Sequence, residues 1–232
     1  MVRHVYERTK QAKTVGEVVV ATDDQRVFDA VTAFGGRVLM TSVSCPTGTD
    51  RLAEASRQID ADIYVNVQGD EPMIDPATID VAVNALIGDP EAAMSTLALP
   101  IRTLDEMLSD AVVKVVTDAR GHALYFSRSV IPHARTAERT TEAAARAAFA
   151  SGLARKHVGL YVFRRDALAR FAALPPSPLE PLEQLEQLRA LHHGMKIRVE
   201  TVTGDASVAV DTPEDLDRVR ALISPASTAP RP

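Results

Sequence analysis

Apolar positions along the chain fall into two alternating rhythms. Residues 17–21, 37–40 and 63–67 are short runs dominated by Val, Ile, Leu and Met. Consecutive apolar, β-branched residues over four or five positions predict strands covered on both faces. Between them, residues 25–34, 49–58 and 76–86 place apolar residues three and four apart, which predicts helices. Gly35-Gly36 stops the first helix, and Asp75 before Pro76 supplies an N-cap followed by a first-turn proline. Strand, helix, strand, helix in this order builds right-handed βαβ units, so the expected fold is α/β with a mostly parallel, three-layer sheet.

The rhythm changes in the middle. Residues 112–116 and 122–126 are apolar runs flanking Asp118-Ala119-Arg120-Gly121, a hairpin pattern that makes the sheet mixed. Residues 136–150 are rich in Ala, Thr, Arg and Glu and read as a surface helix or mobile loop. A strand follows at 157–163. Leu179, Leu182, Leu185, Leu188 and Leu191 then recur every third residue, predicting one long helix from about 179 to 193, stopped by Gly194. At about 100° per residue Glu186 falls inside an edge of that apolar arc, where a carboxylate needs a partner. Residues 196–202 form the last clear strand and 213–222 the last helix. The whole of 1–222 is expected to be one domain, and 223–232, without core formers, a disordered tail.

Composition narrows the function. The 232 residues are 46% apolar and 25% charged, enough for a sizeable core, and the formal net charge is −5 with both signs interspersed. That balance excludes a general nucleic-acid or membrane-surface binder. Cys45 is the single cysteine, so no intrachain disulfide forms and a cytoplasmic setting is expected. The first residues lack a signal-peptide core, and no run reaches the roughly 20 apolar residues of a membrane span.

Two strand ends deliver chemistry. Residues 63–67 run directly into Gln68-Gly69-Asp70-Glu71-Pro72, and Val208-Ala209-Val210 into Asp211-Thr212-Pro213. Ligands of open α/β sheets bind beyond the carboxyl ends of strands. One or two carboxylates with substrate phosphates suffice for Mg²⁺, so Asp70 and Asp211 are candidate metal ligands. The competing readings are a turn cap for Asp70 and an N-cap for Asp211.

Six segments in order carry a resemblance. They are Thr47-Gly48-Thr49-Asp50-Arg51, Asn66-Val67-Gln68-Gly69-Asp70-Glu71-Pro72, Ala123-Leu124-Tyr125-Phe126-Ser127-Arg128 with Ile131-Pro132, Lys156-His157-Val158-Gly159-Leu160-Tyr161, Pro176-Ser177-Pro178-Leu179-Glu180 continuing to Leu185-Glu186-Gln187-Leu188-Arg189, and Val210-Asp211-Thr212-Pro213-Glu214-Asp215-Leu216. The set resembles the 3-deoxy-manno-octulosonate (Kdo) cytidylyltransferases. That resemblance implies a nucleotidyltransferase of the nucleotide-diphospho-sugar transferase type. The anomeric hydroxyl of Kdo attacks the α-phosphorus of CTP with Mg²⁺, and pyrophosphate leaves. It implies Asp70 and Asp211 as catalytic metal ligands. Arg51, Gln68, Arg128, Arg135, His157, Tyr161, Glu186 and Gln187 would line the sugar-acid site, and Thr47, Gly48 and Thr49 lie on the nucleotide side. It further implies a role in lipopolysaccharide biosynthesis and a homodimer, with about 130–180 as the candidate interface.

The family pattern opens with a strand and a basic, glycine-containing loop, and Met1 aligns with the end of that motif. The expectation is therefore a sheet whose neighbouring strands lack a ladder partner, and a nucleotide site without its phosphate loop. Thr47 stands where Ser is usual, and His133 where an aromatic is usual. Alternatives are a cytidylyltransferase for a related sugar acid, such as an amino-Kdo or a nonulosonate, and a catalytically dead homologue. A glycosyltransferase of similar topology is disfavoured by the lack of a D-x-D motif.

Overall fold

The computed structural model describes residues 1–204, 210 and 212–223. In chain order the elements are α1 (Val2–Thr9), β1 (Val19–Thr22), α2 (Gln25–Ala33), β2 (Arg37–Met40), α3 (Gly48–Ser56), β3 (Ile63–Asn66), α4 (Pro76–Ile87), β4 (Met94–Pro100), α5 (Leu104–Leu108), β5 (Lys114–Thr117), β6 (Ala123–Ser127), α6 (Thr141–Ser151), β7 (Arg155–Arg164), α7 (Arg165–Ala173), α8 (Glu180–Glu183), α9 (Leu188–His192), β8 (Ile197–Thr201) and α10 (Pro213–Ile223). Local chemistry sets many of these boundaries. Asp24, Thr47, Asp75, Thr103 and Thr140 each accept a backbone N–H from the first turn of the helix that follows, and Pro76 begins α4 as expected.

The mixed α/β sheet is as predicted, and its directions explain why it read as mostly parallel. β4 pairs β8 in parallel, whereas β7 runs antiparallel to β3, β4 and β5, and β6 antiparallel to β5. Thus β3, β4, β5 and β8 share one direction, but β7 sits between them and makes most of their ladders antiparallel. Hydrophobic runs encode burial on both faces, not the direction of the neighbour. The two faces of β4 and β7 divide the core: Met94 and Phe163 pack with Phe126, Phe171 and Leu188 on one face, while Leu97 and Val162 pack with Ile79 and Leu86 under α4 on the other. This is the expected three-layer arrangement.

Two features break its regularity. β1 and β2 form a separate parallel pair, and among the described strands β3 pairs with β7 alone. On β7, Thr96 lies opposite Tyr161 but Leu97 opposite Val158, so Gly159 and Leu160 bulge out of the ladder.

Several expectations change. The helix predicted from 179 to 193 is broken: α8 ends at Gln184, which adopts the left-handed region at φ 52°, and α9 starts at Leu188. Leu182 is 81% exposed while Leu185 and Leu188 are buried, so the five leucines do not share one apolar arc. The Ala-rich segment is ordered. Ala144, Ala145 and Ala148 of α6 are buried, and Ala148 packs with Met107 and Ala154. The tail expected from 223 to 232 lies outside the described residues apart from Ile223, which closes α10, as do Val208, Ala209 and Asp211 of the expected final strand end.

Candidate functional site

The bulge in β7 opens the sheet. On the edge away from β4, β7 pairs β5 through Arg155 and Lys156 and β3 through residues 161–164. Between these two partners lies a cavity of about 530 Å³, lined by His157, Gly159 and Tyr161 of β7, Val112 and Val113 before β5, and residues 184–187 from the break between α8 and α9. In a regular strand, positions i and i+4 are separated by about 13 Å. The bulge brings the His157 and Tyr161 rings to a centroid separation of 5.5 Å. Phe126 supports His157 edge-on at 5.0 Å.

Two carboxylates hold the helix break in place. Glu183 accepts from the Ser127 hydroxyl at 2.7 Å and the Arg128 N–H at 2.8 Å, anchoring the end of α8 on β6. Glu186 lies 2.7 Å from the Thr47 hydroxyl and accepts from Thr49 at 3.0 Å, anchoring the turn on the start of α3. Between these anchors the chain leaves the helix at Gln184 and presents Glu186 and Gln187 to the cavity. Across the break, Arg189 pairs with Glu180 through three contacts of 2.9 to 3.2 Å, with its guanidinium over the Phe171 ring.

Protonation follows from this packing. Burial pushes the Glu186 carboxyl above the usual range, against the pull of the Thr47 and Thr49 hydroxyls. Burial holds His157 neutral, with its pKa lowered to about 3, and raises the Tyr161 phenol, helped by the Glu186 charge. Gln187 is 3% exposed, and its side-chain Nε2 has no hydrogen-bond partner. A buried amide with donors to spare is costly unless a ligand satisfies it.

The start of α3 connects this cavity to the end of β3. A Cβ at Gly48 would lie 3.9 Å from the Asn66 side-chain nitrogen and 4.0 Å from Gln68 Oε1, so the amides after β3 face the Thr47-Gly48-Thr49 turn. Asp70 follows, and its carbonyl accepts the Val210 N–H at 2.9 Å. Asp211 itself lies outside the described residues. Thr212 caps α10 through reciprocal bonds with Asp215: its hydroxyl accepts the Asp215 N–H at 3.2 Å, and Asp215 accepts the Thr212 N–H at 3.1 Å. No group of three or more metal-ligating side chains occurs among the described residues.

His157, Tyr161, Glu186 and Gln187 therefore converge on the cavity, with Gln68, Thr47, Gly48 and Thr49 beside it. Three expected residues stand apart. Arg51 pairs with Asp23 at 2.9 Å and donates to the Thr41 hydroxyl. Arg128 donates to the carbonyls of Glu183 and Asp110 at 2.7 and 2.9 Å, bracing the rim rather than lining it. Arg135 is exposed on the loop before α6. Residues not singled out in the sequence complete the frame. Lys156 lines the cavity and pairs with Glu106 at 2.8 Å. Lys114, fully buried, donates from Nζ to the carbonyls of Ser109, Val112 and Arg128. Fully buried Thr96 reaches from β4 to His157 on β7. The available signal for Lys114 and Thr96 was a polar residue inside an apolar strand.

A family model described as cytidylyltransferase matches residues 1–197. A 3-deoxy-manno-octulosonate cytidylyltransferase of Geobacter metallireducens is 57% identical over 221 residues, covering 94% of this chain and 85% of the relative. A solved CMP:2-keto-3-deoxy-manno-octonic acid synthetase complexed with CTP superimposes with a TM-score of 0.82 at 45% identity, covering 95% of this chain and 86% of the other. A 4-diphosphocytidyl-2C-methyl-D-erythritol synthase from Anaerococcus prevotii shares the fold, with a TM-score of 0.58 at 12% identity, covering 97% and 89%. On the family match and the identity over nearly all of its length, this chain belongs to the 3-deoxy-manno-octulosonate cytidylyltransferase branch of the cytidylyltransferase family.

Proposed function

We propose that this chain transfers CMP from CTP to the anomeric hydroxyl of Kdo, releasing pyrophosphate. The observation that carries this reading is the cavity at the β7 bulge. It combines an unpartnered buried amide on Gln187, a neutral imidazole, a phenol and a carboxyl with a raised pKa. Such a mixture of donors and acceptors suits a polyol acid rather than an apolar ligand. Lys156 on the wall and Arg128 at the rim supply positive charge for the sugar carboxylate.

The nucleotide side lies at the carboxyl end of β3 and the N-terminus of α3, where Thr47, Gly48 and Thr49 present backbone N–H groups suited to phosphate oxygens. Asp70 and Asp211 are the proposed Mg²⁺ ligands. Carboxylate oxygens are hard donors of the kind Mg²⁺ takes. The bond from Val210 to the Asp70 carbonyl supports the pairing, and the Thr212 hydroxyl accepts an N–H in the first turn of α10. When bound, the metal neutralises charge on the transferring phosphate. Gln68 and Glu186 orient the attacking hydroxyl, and catalysis is mainly positioning.

Further parts of the proposal are a role in supplying activated Kdo for lipopolysaccharide biosynthesis, a cytoplasmic location and a homodimer joined through 130–180, where Leu153 is 66% exposed. Light scattering on the purified chain tests the dimer. The activity test is pyrophosphate release from CTP with Mg²⁺ and Kdo, with an amino-Kdo and a nonulosonate as competitors. Turnover with Kdo at the highest kcat/KM supports the proposal. Preference for another sugar acid moves the specificity, and absence of turnover with retained Kdo binding supports the inactive homologue.

A further inference from the structure

The Thr96 hydroxyl has more neighbours than protons. Its Oγ1 lies 2.8 Å from the Leu160 carbonyl, 3.0 Å from the Val158 carbonyl and 2.9 Å from His157 Nε2, and the residue is fully buried. A hydroxyl supplies one proton, and both carbonyls can only accept. If the proton went to Nε2, two carbonyl oxygens would face hydroxyl lone pairs at hydrogen-bonding distance with no water to relieve them. The proton is therefore directed to the carbonyls of the bulge. Nε2 must then carry a hydrogen and donate it to Oγ1.

We propose that Thr96 is a positioning residue: it fixes His157 as the Nε2–H tautomer and leaves Nδ1 as a bare acceptor for a hydroxyl of the sugar acid in the cavity that His157 lines. The neutral ring, kept so by burial, is consistent with this, and Nδ1 has no hydrogen-bond partner among the described residues. The bulge and the tautomer are one device, since the carbonyls that orient Thr96 are those of Val158 and Leu160, exposed to it by the ladder break at Thr96/Leu97. The cavity then discriminates by hydrogen: a donor opposite Nδ1 is accepted, and an acceptor-only group there meets lone pairs. The docking half of this inference rests on the sugar-acid reading of the cavity.

The test has two independent readouts. Long-range ¹H–¹⁵N correlation spectra of the labelled chain, with His157 assigned by its absence in His157→Phe, should show a protonated Nε2 and an unprotonated Nδ1, unchanged from pH 5 to 8. A protonated Nδ1 or a charged ring overturns the tautomer. In steady-state assays Thr96→Val should raise KM for Kdo by roughly three- to tenfold, the worth of about one hydrogen bond, with KM for CTP unmoved and Thr96→Ser close to the parent. Equal losses in the Val and Ser variants, or a shift in both KM values, overturn the positioning role. If His157→Phe leaves KM for Kdo unchanged, the sugar-acid reading falls and takes the docking half with it, while the spectrum still judges the tautomer.

Discussion

The two halves of the site are built differently. Around the β7 bulge, the walls are tied mostly by bonds between elements distant in sequence. Glu183 is tied to β6, Glu186 to α3, Thr96 to β7, and Lys114 to three carbonyls of two loops. β4 beneath it is buried at every position except Pro100. The proposed nucleotide side, at the end of β3 and the start of α3, rests on lighter structure: the neighbouring β1 and β2 pair with each other, and of their residues Thr22 alone is buried. The first half is preorganised in the free protein. In the second, the proposed metal ligand Asp70 is tied through its backbone carbonyl, which accepts the Val210 N–H. Preorganised sites lose affinity gradually when trimmed, while charge-neutralising sites lose rate.

This contrast is open to attack, beginning with the largest effect. Asp70→Asn should cut kcat by about 10²–10³-fold while leaving Kdo binding, measured calorimetrically, near the parent value. A matching loss of Kdo affinity would merge the two halves. Next, Leu185→Ala should destabilise the chain by about 2–4 kcal/mol, whereas Leu182→Ala should stay within about 0.5 kcal/mol. Chemical denaturation reads both, and equal costs would restore a continuous helix. Lys114→Met removes the donor shared by three buried carbonyls and should cost about 2 kcal/mol, lowering the melting temperature by about 4–8 °C. It should also raise KM for Kdo more than KM for CTP.

The smallest effect is in pH dependence. Because Glu186 holds its proton more tightly in the folded chain than at the ordinary value of 4.5, its contribution to stability is full below that value. It is lost as pH rises through the elevated pKa. His157 acts in the opposite direction: its contribution is full above 6.5 and is lost as pH falls toward about 3. Melting curves between pH 4.5 and 8 should therefore show a loss on the alkaline side in the parent that flattens in Glu186→Gln. An unchanged slope would mean that Glu186 ionises freely.

Much of this architecture was legible in the sequence. The strands at 37–40 and 63–67, the capped helix at 76 and the hairpin around Asp118 all follow from local patterns. The convergence of His157, Tyr161, Glu186 and Gln187 followed from a resemblance carried by six ordered motifs. What escaped was decided by tertiary bonds. The leucine repeat between 179 and 191 looks continuous because periodicity cannot register the left-handed Gln184 or the bonds of Glu183 to Ser127 and Glu186 to Thr47. Gly159 inside the strand at 157–163 is a bulge signal, but the bulge's place opposite Thr96/Leu97 emerges only when β4 supplies a register. Arg51, Arg128 and Arg135 show the converse: residue type and motif nominated them, but two are engaged by nearby acids and carbonyls and the third is exposed.

The Glu180–Arg189 pair has a consequence for how this scaffold diversifies. Helices as short as α8 and α9 have little stability of their own, so the pair, with the Glu180 and Arg189 side chains 13% and 8% exposed, serves as a clasp at the base of the loop between them. With the ends fixed and Leu185 seated in the core, Glu186 and Gln187 are the positions of the loop that line the cavity and are open to change. Rewriting those two changes what the cavity at the β7 bulge accepts, without touching the sheet or the fold that carries it.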